Sequence, residues 1–370
     1  MVIDRLRVVV NLDNLVHNFK LLKALNNNQE VMAVVKADAY GHGAIECSKH
    51  LEANGCKFFA VTVLKEAIEL RNAGIKSPIL IFGKTDPLNF EYLEQYDLIQ
   101  TIDSFDYAEK LNHQTTKKIK VHLNVDTGMS RLGIYCHEES DMENVVKDIV
   151  SIKELNKIDL CGIYTHFASS DADLDFTHKQ KTIFTKLLSL LANERIDYGL
   201  VHLANSSGIV RLDNLENFMA RSGIALYGYP PVKTEEKFLP VMELFAKVIA
   251  IHQIKENDSV SYGRTFVATK PTKVATVAIG YADGYMRILS NNDYFYYQSH
   301  KLPVIGRVCM GLTMVDITGT NIDIGCEVEV FGSNKSLVDM ALRAQTITYE
   351  LLTNMAKPRV DRVYLNKENS

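Results

Sequence analysis

Nowhere in these 370 residues does an apolar run approach the roughly 20 positions that a helix needs to cross a bilayer. The opening stretch, MVIDRLRVVV, is not a signal peptide either, so the chain is expected to be soluble. Cysteine is sparse: Cys47, Cys56, Cys136, Cys161, Cys309 and Cys326 are scattered, with no close pair to suggest a zinc knuckle or a redox dithiol. They read as reduced thiols of a cytoplasmic protein. Charge of one sign is missing too, since 41 Lys and Arg face 45 Asp and Glu for a net of -4, which leaves no electrostatic footprint for nucleic acid.

What remains is ordinary globular composition, 46% hydrophobic and 23% charged, in a chain too long for one ordinary core unless part of it forms a large barrel. Residues 6–12 read as a strand, and Asp13 can cap a helix running to about Leu25. From Val31 onward eight apolar strand candidates follow: VMAVVK, FFAVT, PILIFG, LIQTID, VHLNVD, GIYTHF, LVHLAN and GIALYG. Helical patterns separate most of them, and strand, helix, strand at this spacing predicts a parallel sheet closed into a (β/α)8 barrel over residues 1–230. Past Gly228 a Pro and charge-rich linker leads to a mostly β domain, residues 231–370, with two late helices; strand 6–12 is free to pair with it. The tail from Asn366 to Ser370 is expected to fray.

Lys36 stands where the chemistry of barrel enzymes is kept. It ends a β-branched run and is followed at once by ADAYGHGA, a turn of small residues, so an amine sits at a strand's C-terminal edge. A lysine there is a solvated side chain unless its pKa is lowered or it binds a carbonyl covalently. The clusters Asn205-Ser206-Ser207-Gly208 and Arg221-Ser222-Gly223, at the ends of the last two strands, are what a barrel phosphate site offers; as isolated clusters they are ordinary turn residues. Asp171, Asp173 and Asp175 have the spacing that begins a calcium loop, but Phe176 and Thr182 stand where Gly and Glu are needed, and no metal site is read.

Ten stretches, in order, resemble the alanine racemase family: VVKADAYGHGA, VDTGMSRLG, THFASSD, HLANSSG, RSGIALYG, SYGRTF, GYADGY, GRVCM, TYELLT and RVDRVY. The resemblance covers nearly the whole chain and implies a racemase dependent on pyridoxal 5'-phosphate, held covalently by Lys36. Tyr40, Ser206 and Tyr349, with the backbone N–H groups of Gly223 and Ile224, would hold its phosphate, and Asn205 and His166 would lie beside it. Arg221 would face the ring nitrogen, and as a permanent cation it cannot accept a proton from it. Racemisation needs a base on each face of the α-carbon. The resemblance implies Lys36 for the D face and Tyr262 for the L face, with a relay from Tyr262 through His166 to Arg221. A tyrosine needs cationic or hydrogen-bonding neighbours to act as a base near neutral pH. Arg131 and the backbone N–H of Met310 would receive the substrate carboxylate, in a homodimer whose partner subunit supplies Tyr262 and Met310.

Two departures fall on the substrate side. Asn124 stands where the family often has a carbamylated lysine that braces the substrate arginine, and Gly311 and Leu312 replace an Asp-Gln pair. These point to relatives that handle serine, such as the racemase domains of vancomycin-resistance serine racemases, in which a membrane segment precedes the domain; Asn354 could then meet a serine hydroxyl. The reading is an isomerase that interconverts L- and D-alanine, L- and D-serine, or both, supplying D-amino acids for peptidoglycan precursors. Its rivals are a decarboxylase of the same two-domain plan and a non-catalytic pyridoxal-phosphate-binding protein.

Overall fold

The computed structural model describes residues 5–213, 215–355 and 360–366; Arg359 of the RVDRVY stretch and the tail 367–370 lie outside the described residues. The chain divides into two compact units. One comprises residues 15–39 and 44–239, the other the residues up to Asn14, Tyr40–Gly43, and everything from Pro240 onward.

The chain opens on β1 (Leu6–Asn11), which runs directly into the helix Leu12–Leu25. The first unit is then built on eight parallel strands: β2 (Val31–Val34), β3 (Phe59–Val61), β4 (Ile79–Ile81), β5 (Ile99–Ile102), β6 (Ile119–Asp126), β8 (Ile158–Tyr164), β9 (Leu200–His202) and β10 (Ala220–Ser222). They follow one another in that order around the sheet, β10 returns to β2, and a parallel bridge between His202 and Met219 joins β9 to β10. A short β7 (Ile134–Tyr135) lies on the far edge of β6. Strands β2 to β5 are buried throughout, which is why they read as continuous apolar runs and not as alternations.

The eighth strand corrects the sequence reading. GIALYG is not a strand: Ile224–Tyr227 forms a 3-10 turn, and the strand is the Ala220–Ser222 segment before it. Gly223 breaks the extension at φ -106, ψ -100, and the N–H groups of Gly223 and Ala225 both turn onto Ser206 Oγ, at 3.1 and 3.3 Å. A short buried apolar run has the same pattern in either conformation. The linker stays with the barrel as far as Leu239, beyond the expected 230/231 boundary, because Asn18 exchanges two hydrogen bonds with Leu239 and His17 meets the Lys237 carbonyl.

The second unit is mostly β. Its spine is β11 (Met242–Ile254), followed by β12 (Ser259–Val260), β13 (Phe266–Val267), β14 (Thr272–Val277), β15 (Tyr294–Tyr297), β16 (His300–Pro303), β17 (Thr313–Asp316), β18 (Glu327–Phe331) and β19 (Asp361–Leu365). β1 joins this sheet, antiparallel to β11 and parallel to β19. The helices Leu337–Arg343 and Thr348–Asn354 complete it. Among the described residues no helix is long and apolar enough to cross a membrane, and no group of His, Cys, Asp or Glu is placed to hold a metal ion.

Candidate active site

In the barrel unit the sequence-predicted residues gather at the strand ends. Lys36 lies two residues past the end of β2, half-buried, and burial and then the charge of Arg131 hold its ammonium below the usual lysine range, against a smaller opposing pull from Glu66. The chain after it turns the wrong way for L-residues: Ala37, Asp38, Ala39 and Tyr40 all lie at φ between 51 and 54. Such a left-handed turn costs about 1–2 kcal/mol per residue. Side chains tie it down, because Glu66 accepts from the Ala37 N–H at 2.6 Å and Asp38 accepts from the Ala44 N–H at 2.7 Å.

Arg221, on β10, is buried, and its guanidinium has no carboxylate within ion-pair distance among the described residues. It donates instead to His202 Nδ1 at 2.8 Å, His166 Nδ1 at 3.2 Å and the carbonyls of Thr165 and Leu203. Burial lowers it to about 10, so it remains a cation at neutral pH. Because a guanidinium only donates, both histidines must accept through Nδ1 and carry their protons on Nε2. Burial, then the charges of Arg221, Arg131 and Lys36, push His166 down to about 3, so its imidazole is neutral. Gln180 fixes the same loop by donating to the His166 carbonyl at 3.1 Å.

In the serine-rich cluster, Ser206 Oγ accepts the N–H groups of Gly223 and Ala225 and lies 3.4 Å from Ser222 Oγ. The Ile224 N–H adjoins this pair in the same turn. Asn205 caps the helix Ser206–Arg211, its Oδ1 accepting from the Gly208 N–H and from the hydroxyls of Ser170 and Ser207. Arg131 is exposed on the loop between β6 and β7.

The remaining predicted residues belong to the second unit. The rings of Tyr40 and Tyr349 lie 6.1 Å apart and tilted by 53°, and burial raises the Tyr40 hydroxyl above the usual range. Tyr262 is 72% exposed, held out by Ser261 at φ 66 and Gly263 at φ 71, with Ser261 Oγ tied to the Arg307 carbonyl at 2.6 Å. Met310 is 61% exposed beside the Gly280 loop, where Cys309 and Met310 carbonyls take the N–H groups of Tyr281 and Ala282. Asn354 ends its helix, and its side chain makes no hydrogen bond among the described residues.

Two buried histidines escaped the sequence reading as site residues. His202 donates its Nε2–H to His122 Nδ1 at 2.8 Å, so Arg221, His202 and His122 form one line of donors, and Tyr164 stacks on His202 with ring centroids 4.6 Å apart. The available signal was Gly162 on β8: a β-carbon there would stand 2.5 Å from the His122 ring.

Known proteins resemble both units. The family model "Alanine racemase, N-terminal domain" matches residues 10–231, and "Alanine racemase, C-terminal domain" matches residues 241–364. Alanine racemase 2 of Caldanaerobacter subterraneus subsp. tengcongensis is 38% identical over 97% of this chain and 94% of its own length. The solved alanine racemase of Clostridium difficile 630 superposes with a TM-score of 0.93 at 35% identity, covering 100% of this chain and 98% of that one. The alanine racemase of Bartonella henselae, solved with covalently bound pyridoxal phosphate, gives 0.87 at 31% identity over 98% and 100%. By sequence along its length and by fold, the chain belongs to the alanine racemase family.

Proposed function

We propose that this protein is a pyridoxal-phosphate-dependent isomerase that interconverts L- and D-alanine, supplying D-alanine for peptidoglycan precursors. The observation that carries the reading is the buried, carboxylate-free Arg221 with neutral His166 at its side. The donor set fits the cofactor. Lys36 offers an amine whose proton is loosened; by the family resemblance Ser206 and the N–H groups of Gly223 and Ile224, and likewise Tyr40 and Tyr349, would hold the phosphate, with Asn205 beside the cofactor. Arg221 Nε, which has no hydrogen-bond partner among the described residues, is a donor left for the ring nitrogen.

When bound, the cofactor supplies the electron sink that makes the α-proton of the substrate acidic. Arg221 cannot pass a proton to the ring, so the sink stays weak and transamination is disfavoured. Lys36 takes or returns the α-proton on the D face and Tyr262 on the L face. His166, with its proton on Nε2, can donate to the Tyr262 oxygen and steady its charge. Arg131 and the Met310 N–H receive the substrate carboxylate. Tyr262 and Met310 come from the partner subunit of a homodimer, a reading supported by their exposure in a unit that does not contain Lys36.

The test is purified protein with added pyridoxal phosphate, assayed with L-alanine and L-serine side by side. Racemisation is expected, and Lys36→Ala should lose both activity and the visible absorption of the covalently held cofactor; carbon dioxide release in place of the D-enantiomer would favour the decarboxylase. Serine is the second reading, supported by the unpaired Asn354 amide and by Asn124, Gly311 and Leu312. If Asn354→Ala leaves the serine-to-alanine rate ratio unchanged, Asn354 has no part in it.

A further inference from the structure

The loop that carries Arg131 leaves β6 after Asp126 and returns within seven residues to the same strand. There β7 pairs in parallel, Val125 opposite Ile134 and Asp126 opposite Tyr135, and the Cys136 N–H meets the Asp126 carbonyl at 2.9 Å. So tight an excursion needs unusual backbone: Gly128 lies at φ 138, Ser130 at φ 54 and Gly133 at φ 124. A β-carbon at Gly133 would come within 2.7 Å of the Asp126 nitrogen. Pairing at the loop's ends does not by itself fix residues 130 to 132 in its middle. Two side chains of β6 do that. Asp126 Oδ1 accepts from the N–H groups of Gly128, Met129 and Ser130 at 3.0, 2.8 and 3.0 Å, while Oδ2 also faces Ser130 N and His137 Nε2 at 3.1 and 3.4 Å. Asn124 Nδ2 donates to the Leu132 carbonyl at 2.7 Å. Both side chains are buried. The amide cannot be turned over, because its oxygen would then face the Leu132 carbonyl oxygen. Its Oδ1 is buried and has no partner, so the donor end is what this position uses.

We propose that Asn124 and Asp126 are positioning residues that grip the backbone on either side of Arg131 and so aim its guanidinium at the substrate carboxylate. Asn124 therefore does through the Leu132 carbonyl what a side chain bracing the guanidinium directly would do elsewhere. The proposal rests on the reading of Arg131 as the carboxylate receiver, and its test separates the two.

Cofactor-loaded wild type, Asn124→Leu, Arg131→Ala and the double variant are compared by steady-state kinetics with L-alanine. Calorimetric titration with propionate, a carboxylate of substrate size without the amine, gives a readout independent of turnover. Asn124→Leu is expected to raise KM and weaken propionate binding by about tenfold, as loss of one well-placed hydrogen bond allows, with kcat held within about twofold. In the Arg131→Ala background the same change should add less than about twofold, because the effect passes through Arg131. Should Asn124→Leu fail to load cofactor, Asn124→Ala is read in its place. Unchanged KM and propionate affinity in Asn124→Leu, or an equal loss in the two backgrounds, overturns the proposal. Arg131→Ala with undiminished propionate affinity overturns the reading of Arg131 itself, and the proposal with it.

Discussion

Arg221 keeps its charge in a buried site by donating hydrogen bonds to imidazoles and carbonyls, and the imidazoles bear the consequence. Burial first, and then the Arg221 charge, push His122 and His166 down to about 3 and His202 well below its ordinary range. In the unfolded chain each binds a proton below about pH 6.5; in the folded chain none does. Their contribution to stability is therefore complete above that value and is lost as pH falls toward the folded values, at about 1.4 kcal/mol per pH unit for each imidazole. Between pH 6 and about 5.3 the carboxylates, whose ordinary range lies near 4, contribute little to the slope. Thermal midpoints in that window should fall steeply. His122→Phe lowers stability overall, because it leaves the His202 Nε2 proton without its acceptor, yet it should remove about a third of the pH slope. A slope that survives the substitution in full would mean that His122 is not held neutral in the fold.

At the scale of elements, periodicity carried most of the barrel: five of the eight strands lie within the stretches read as strands and β6 and β8 overlap theirs, β8 starting four residues earlier, because buried parallel strands announce themselves as apolar runs between amphipathic helices. GIALYG failed since its apolar residues are buried in a 3-10 turn and not in a strand. The candidate site residues were named from motifs, whereas the side chains packed around them were not: His122, His202, Asp126 and Glu66 act through geometry that spacing does not encode. The turn after Lys36 was least legible of all, as nothing in Ala-Asp-Ala-Tyr signals four left-handed residues, a conformation that favours glycine. It is also the most testable. Ala37, exposed and at φ 51, tolerates glycine but not a β-branched side chain. Ala37→Gly should leave the thermal midpoint level or higher, and Ala37→Val should cost about 2 kcal/mol. Equal midpoints for the two variants would argue against the left-handed turn.

For the whole molecule, the question is which copies of the chain complete one site. Lys36 belongs to the barrel unit and Tyr262 to the β unit, where it stands 72% exposed on a strained turn; in the proposed shared-site homodimer the other chain would cover it. In a two-fold homodimer with shared sites, each site takes Lys36 from one chain and Tyr262 from the other. Lys36→Ala and Tyr262→Ala are then both inactive alone, but a dimer with one chain of each kind holds one site with both bases and one with neither. If subunits exchange freely, half the dimers in an equal mixture are mixed and half their sites are whole, so activity should return to roughly a quarter of wild type. Were each site built within a single chain, every site in the mixture would lack a base and no activity would return. Recovery that rises as the subunits equilibrate, and that fails when they are mixed only at the moment of assay, would assign the two bases to different chains.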